Sequence, residues 1–145
     1  MIYRSEHPKP QFVRQNWQNL NGEWQFEIDH GDSGRKRGLL EKKTLEREIL
    51  VPFCPESQLS GIGEHPKDGQ FIWYRRNFTL PEGFNKGSIL LHIGAADQTA
   101  QIYVNQTLTD ILYINDRLQT TFSAKAGDVL TVLCENMGRT NFGSK

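Results

Sequence analysis

The chain has 145 residues, 17 basic and 17 acidic side chains, and 2 cysteines. That length fits one domain with a core of its own and leaves no space for a second, catalytic domain. The zero formal net charge argues against nucleic acid or an anionic membrane as partner, since both need a basic surface. No apolar run approaches the roughly 20 residues that span a bilayer, and none follows Met1 as a secretory signal, so the expected location is the cytoplasm.

Taken in order, the chain reads as strands and turns. In "GEWQFEID" (22–29), Trp24, Phe26 and Ile28 alternate with Glu23, Gln25 and Glu27, the period of a strand with one buried face. The segment "RKRGLLEKKTLERE" (35–48) mixes both charge signs and reads as a solvated face or loop, with "LLEKKTLERE" (39–48) as the one possible short helix. "EILVPF", "FIWYRRNFTL", "SILLHIG", "AQIYVN", "DILYIN", "LQTTFSA" and "DVLTVLC" follow, punctuated by Pro52, Pro55, Pro81, Gly83, Gly94 and Gly127. About eight short strands so spaced predict an antiparallel sandwich or barrel. Cys54 and Cys134 lack metal-ligand spacing and lie in apolar, strand-like surroundings, which suits two buried free thiols, with a disulfide as the alternative. Asn77 and Asn105 each open an Asn-x-Thr glycosylation pattern, without the secretory signal that would give it meaning.

The strand "FIWYRRNFTL" (71–80) is apolar on both sides. Alternation puts Ile72, Tyr74, Arg76, Phe78 and Leu80 on one face and Phe71, Trp73, Arg75, Asn77 and Thr79 on the other. Such a strand belongs in the middle of a sheet, one face in the core and the other covered by a loop or a partner. Its two arginines can each pair with a carboxylate or stack on a ring.

Chemical motifs are missing from the sequence. There is no glycine-rich phosphate loop, nucleophile elbow or His-Glu-x-x-His, and the 4 histidines are scattered. Glu56, Glu64, Asp97, Asp116 and Glu135 are available for acid–base work, but their spacing selects no pair. No cofactor and no metal are implied.

Four motifs in this order carry a resemblance: "NWQNLNGEWQFEID", "ILVPFCPESQLSGIG", "FIWYRRNFTLPEGF" and "ILLHIGAADQTAQIYVNQ". Together, over residues 1–105, they resemble the N-terminal sugar-binding domain of glycoside hydrolase family 2, the β-galactosidase, β-glucuronidase and β-mannosidase group. After "QIYVN" the chain departs from that family's His-Glu-Gly-Gly type turn. Its final part, 106–145, ending in "AGDVLTVLCENMGRTNFG", is similar to the accessory β-domain of family 35 β-galactosidases, with Phe142 where tyrosine is usual. Natural divergence and engineered recombination of two related domains both fit such a join, the second slightly better.

The resemblance implies a single all-β domain, an antiparallel jelly-roll β-sandwich of the galactose-binding type, spanning 1–145. It also implies no catalysis, because in both families the acid and nucleophile glutamates stand on a TIM barrel. What remains is sugar binding or scaffolding, or else a protein-interaction module without a ligand of its own. The expected partners are a β-linked sugar, held weakly, a catalytic barrel domain, or a second copy. Trp73 and Tyr74, with Arg75, are candidates for the flat platform a sugar ring needs, and Asn105, Asp116 and Arg117 for its polar contacts. Asp116 is favoured because "NDRL" occupies the region from which some family 2 β-galactosidases send an acidic residue to the active site. In "ENMGRTNFG", Asn136 and Gly138 suit a turn with positive φ that closes the last strand.

Inward placement of Trp24 is directly testable. Trp24→Ala should destabilise the fold by about 3–5 kcal/mol in urea unfolding, and a loss under about 1 kcal/mol would refute the assigned face.

Overall fold

A computed structural model describes residues 2–7, 9–84, 86–96, 99–113 and 119–136. These described residues form an antiparallel β-sandwich of eight strands: β1 (Gly22–Asp29), β2 (Arg47–Val51), β3 (Gln70–Asn77), β4 (Ile89–His92), β5 (Thr99–Val104), β6 (Thr107–Tyr113), β7 (Gln119–Phe122) and β8 (Val129–Asn136). Each of the strand segments expected from the sequence forms a strand. The possible short helix of "LLEKKTLERE" does not form: residues 30–46 run as turns and bends, and β2 begins at Arg47.

Six strands make one sheet in the order β2-β1-β3-β8-β5-β6, and β4 pairs with β7 in a second. β3 lies between β1 and β8, as a strand with two apolar faces requires. Trp24, Phe26 and Ile28 of β1 share the main core with Ile49, Ile72, Phe78, Ile102 and Leu130. Ile89, Leu91 and Phe122 of the small sheet pack against that core, and the two sheets thereby bury each other's apolar faces. Trp24 also donates its indole N–H to the Leu20 carbonyl at 2.7 Å, and Arg76 Nη1 donates to the same carbonyl at 2.7 Å, fixing how the chain reaches β1.

The other face of the large sheet is covered by a loop, one of the two covers expected for β3, and the cover extends over β1, where Glu27 and Asp29 are 3% and 0% exposed. The cover is the charged loop 30–46, whose Leu39 and Leu45 are buried against Trp73, Tyr103 and Leu133 in a second apolar cluster. The solvated face or loop expected for residues 35–48 is a loop, corrected in one respect: its lysines and acids are exposed, but its leucines point inward.

Gly34 sets how closely the loop can lie. A Cβ at this position would stand 2.6 Å from the Trp73 indole nitrogen and 2.7 Å from two ring carbons, inside any real contact distance. Cys54 and Cys134 form no disulfide. Cys54 is exposed rather than buried, because β2 ends at Val51 and the thiol falls in the turn beyond it; Cys134 is half-buried on β8.

Because the indole is locked between the loop and the sheet, Gly34→Ala should lower stability by about 1–3 kcal/mol. Chemical denaturation of the two proteins measures this, and an unchanged midpoint would mean that the loop does not rest on Trp73.

Candidate functional site

The outer face of the large sheet is a grid of side chains. Register aligns Phe71 of β3 with Glu135 of β8, Thr99 of β5 and Tyr113 of β6, and then Trp73 with Leu133, Gln101 and Ile111. A third row holds Arg75, Thr131, Tyr103 and Leu108. The loop covers the grid as far as β5 and leaves the β6 column open, with Leu108 46%, Ile111 37% and Tyr113 51% exposed.

Two ionic clasps hold the loop. Asp29 receives the backbone N–H of Gly34 at 2.6 Å and that of Ser33 at 3.1 Å. The Ser33 hydroxyl donates to it at 2.8 Å, and the Trp73 indole N–H at 3.4 Å. Arg37 pairs with Glu27 at 2.7 Å and approaches Asp29 at 3.5 Å. Burial pushes the Asp29 pKa up, but the bonds from Ser33, Gly34 and Trp73 outweigh it and hold the group at about 2. The second clasp is Arg75, 3% exposed, which donates to the Leu39 carbonyl, to the Lys42 carbonyl at 2.6 Å and to Thr131 Oγ1 at 3.2 Å. Burial lowers its pKa from the ordinary arginine value, and Glu27 and Glu41 act the other way.

These contacts place the residues expected to bind a ligand. Trp73 is 0% exposed and presents no ring face for a sugar, so as folded it is packing rather than a platform. Arg75 spends its guanidinium on the loop. Tyr74 lies on the opposite face, packed against the main core edge-on to Phe26, and burial, chiefly, pushes its phenol pKa up.

Asn105 forms, with Gln106, the two-residue turn between β5 and β6, where both residues have positive φ, 47° and 71°. Its side chain donates to Asp128 Oδ1 at 2.8 Å and accepts the Val129 N–H at 2.9 Å, pinning this hairpin to the start of β8. Asp116 and Arg117 lie outside the described residues, as does the 137–145 portion of "ENMGRTNFG". The structure therefore brings Trp73 and Arg75 together under the loop and separates Tyr74 and Asn105 from them.

Three features escaped the sequence reading. The buried Glu27–Asp29 pair looked solvated because the loop that covers it follows β1 directly and is itself rich in charge, although "DHGDSG" after β1 carries the Asp-x-x-x-Ser-Gly spacing of an acid bonding its own turn. The Asn105 turn was hidden because glutamine stands where glycine usually follows asparagine. The open β6 column was hidden by a bulge opposite Ile102 and Tyr103, which breaks the alternation at Leu108. Among the described residues, no group of three His, Cys, Asp or Glu side chains could hold a metal ion, and no buried side-chain polar atom lacks a partner.

Among the described residues the chain is an antiparallel all-β domain whose buried polar side chains are bonded within the fold. Residues 66–145 match the family described as "Beta-galactosidase, first all-beta domain", and the chain belongs to that family. The match crosses position 105, where the two resemblances were expected to meet.

Among solved structures, the fold is shared with a β-glucuronidase from an uncultured Clostridium species at 23% identity and TM-score 0.64, covering 82% of this chain and 22% of that one. The Lactobacillus rhamnosus β-glucuronidase gives 23%, 0.66, 82% and 21%. The Ruminococcus gnavus enzyme in complex with a C6-substituted uronic isofagomine gives 23%, 0.67, 82% and 21%. The chain thus spans about a fifth of the length of these enzymes. No curated protein matches it in sequence.

The Asp29 clasp has a pH signature. Its pKa is about 2 when folded against an ordinary value of 3.8, so its contribution is complete above about pH 4 and is lost as pH falls toward 2. The difference corresponds to about 2 kcal/mol. Asp29→Asn should be less stable at neutral pH, and its stability should fall less steeply between pH 4 and 2 in acid titrations of denaturation; equal slopes would assign the acid sensitivity elsewhere.

Proposed function

We propose that this chain is a non-catalytic accessory domain of a β-galactosidase or β-glucuronidase type glycosidase, and that it serves as a scaffold beside a catalytic barrel with little or no sugar affinity of its own. The observation that carries this reading is the match of residues 66–145 to the first all-β domain of β-galactosidases. The absence of catalysis is supported by architecture. A TIM barrel alternates parallel strands with helices, whereas the described residues form antiparallel strands and no α-helix. Scaffolding over sugar binding is supported by the site itself, because Trp73, Arg75 and Asn105 are all engaged inside the fold.

A second reading, an interaction module, is favoured by one feature, the open column of Leu108, Ile111 and Tyr113 beside the covered part of the sheet. The two readings agree that a protein surface, rather than a free sugar, is the main partner.

Proton–carbon correlation NMR of the purified chain with galactose, glucuronate and mannose tests the assignment. Any binding should be no tighter than millimolar, about 4 kcal/mol, and an aryl β-galactoside or β-glucuronide should not be hydrolysed. A site saturating well below 1 mM, about 4 kcal/mol, would replace scaffolding with sugar recognition. Hydrolysis abolished by removing a single carboxylate would make the chain an enzyme.

A further inference from the structure

β6 is an end strand of the six-stranded sheet, so one row of its backbone groups meets no strand of that sheet. Its sequence, TLTDILY, has strand-forming residues everywhere but one position. It contains neither proline nor lysine, the residues that commonly blunt an edge. With Leu108, Ile111 and Tyr113 exposed, such a strand is a template on which the β6 of a second copy could add. The exception is Asp110, at the middle of the strand.

Asp110 acts on this edge in two ways. Its Oδ1 accepts the backbone N–H of Ile111 at 2.8 Å. In an antiparallel pair, successive residues alternate between exchanging both backbone bonds with the partner and pointing both away. The Asn105 N–H donates to the Val129 carbonyl, so alternation along β5 turns the backbone groups of Gln101 toward β8 as well; Ile111, opposite Gln101, therefore points its N–H to the outward row, where the carboxylate takes it. The side chain thus occupies a donor that an incoming strand would need. Charge adds to this, since two-fold antiparallel addition centred on the strand would set Asp110 opposite its own copy, and like charges directly opposite destabilise a pair.

We propose that Asp110 guards β6 against strand addition by a second copy of this chain, so that the sheet stops at six strands. The inference rests on the edge geometry and is independent of the functional reading above.

Light scattering coupled to size exclusion, at low and high protein concentration, tests it. The wild-type chain should stay monomeric, and Asp110→Thr should strengthen self-association at least about tenfold, the equivalent of about 1.4 kcal/mol. Adding Ile111→Lys to Asp110→Thr should restore the monomer. Where Asp110→Thr fails to fold by circular dichroism, Asp110→Asn, which keeps the oxygen and removes the charge, decides in its place and should also associate more strongly. Folded variants that remain monomeric, association that Ile111→Lys does not reverse, or a wild-type chain already dimeric through β6 would each overturn the proposal.

Discussion

The structure depends on how the second face of β3 is kept from water. Phe71, Trp73 and Arg75 alternate along that face, and the chain closes over them with the loop 30–46. Burying a leucine contributes about 1.5–3 kcal/mol, whereas ordering each backbone residue costs about 1–2 kcal/mol. Leu39 and Leu45 alone therefore cannot hold a loop of this length. The polar clasps supply the rest: Asp29 gathers the N–H groups of the tight turn, and Arg75 reaches back to its carbonyls. Buried charges are tolerated here because their hydrogen-bonding capacity is met by fixed partners.

This arrangement bears on function. A tryptophan and an arginine side by side on a strand resemble a ligand platform only until the loop is in place. Once covered, they belong to the stability of the sheet, and on this face the exposed apolar side chains are those of β6. The large sheet is thus closed over its centre and open at one end strand. The Asn105 turn serves the same end, since its side chain ties the β5–β6 hairpin to Asp128 and Val129 and so fixes where the open strand stands.

Much of the fold was legible because period-2 alternation depends only on neighbours along the chain. Trp24, Phe26 and Ile28 announce their buried face locally, and the proline and glycine positions mark the ends of strands. The candidate site was far less legible. Whether Trp73 meets a sugar or a leucine depends on a segment some 30 residues away in sequence, and the charged composition of that segment suggested water rather than packing. Asn105 read as a polar contact because its role lies in a backbone conformation, with positive φ, that a glutamine neighbour does not advertise.

By itself, the sequence determined the class of the protein: an all-β sandwich with β3 at its centre and motifs of a glycosidase accessory domain. Alternation, turn residues and those motifs are local properties and survive without knowledge of what packs on what. Only the tertiary structure decided which apolar surface is free. Burial of Trp73, Glu27 and Asp29 follows from one loop folding across three strands, and exposure of the β6 column follows from that loop stopping at β5. Burial of Trp73 and exposure of β6 are consequences of where segments distant along the chain meet, and only the Asp29 turn has a local spacing that announces it.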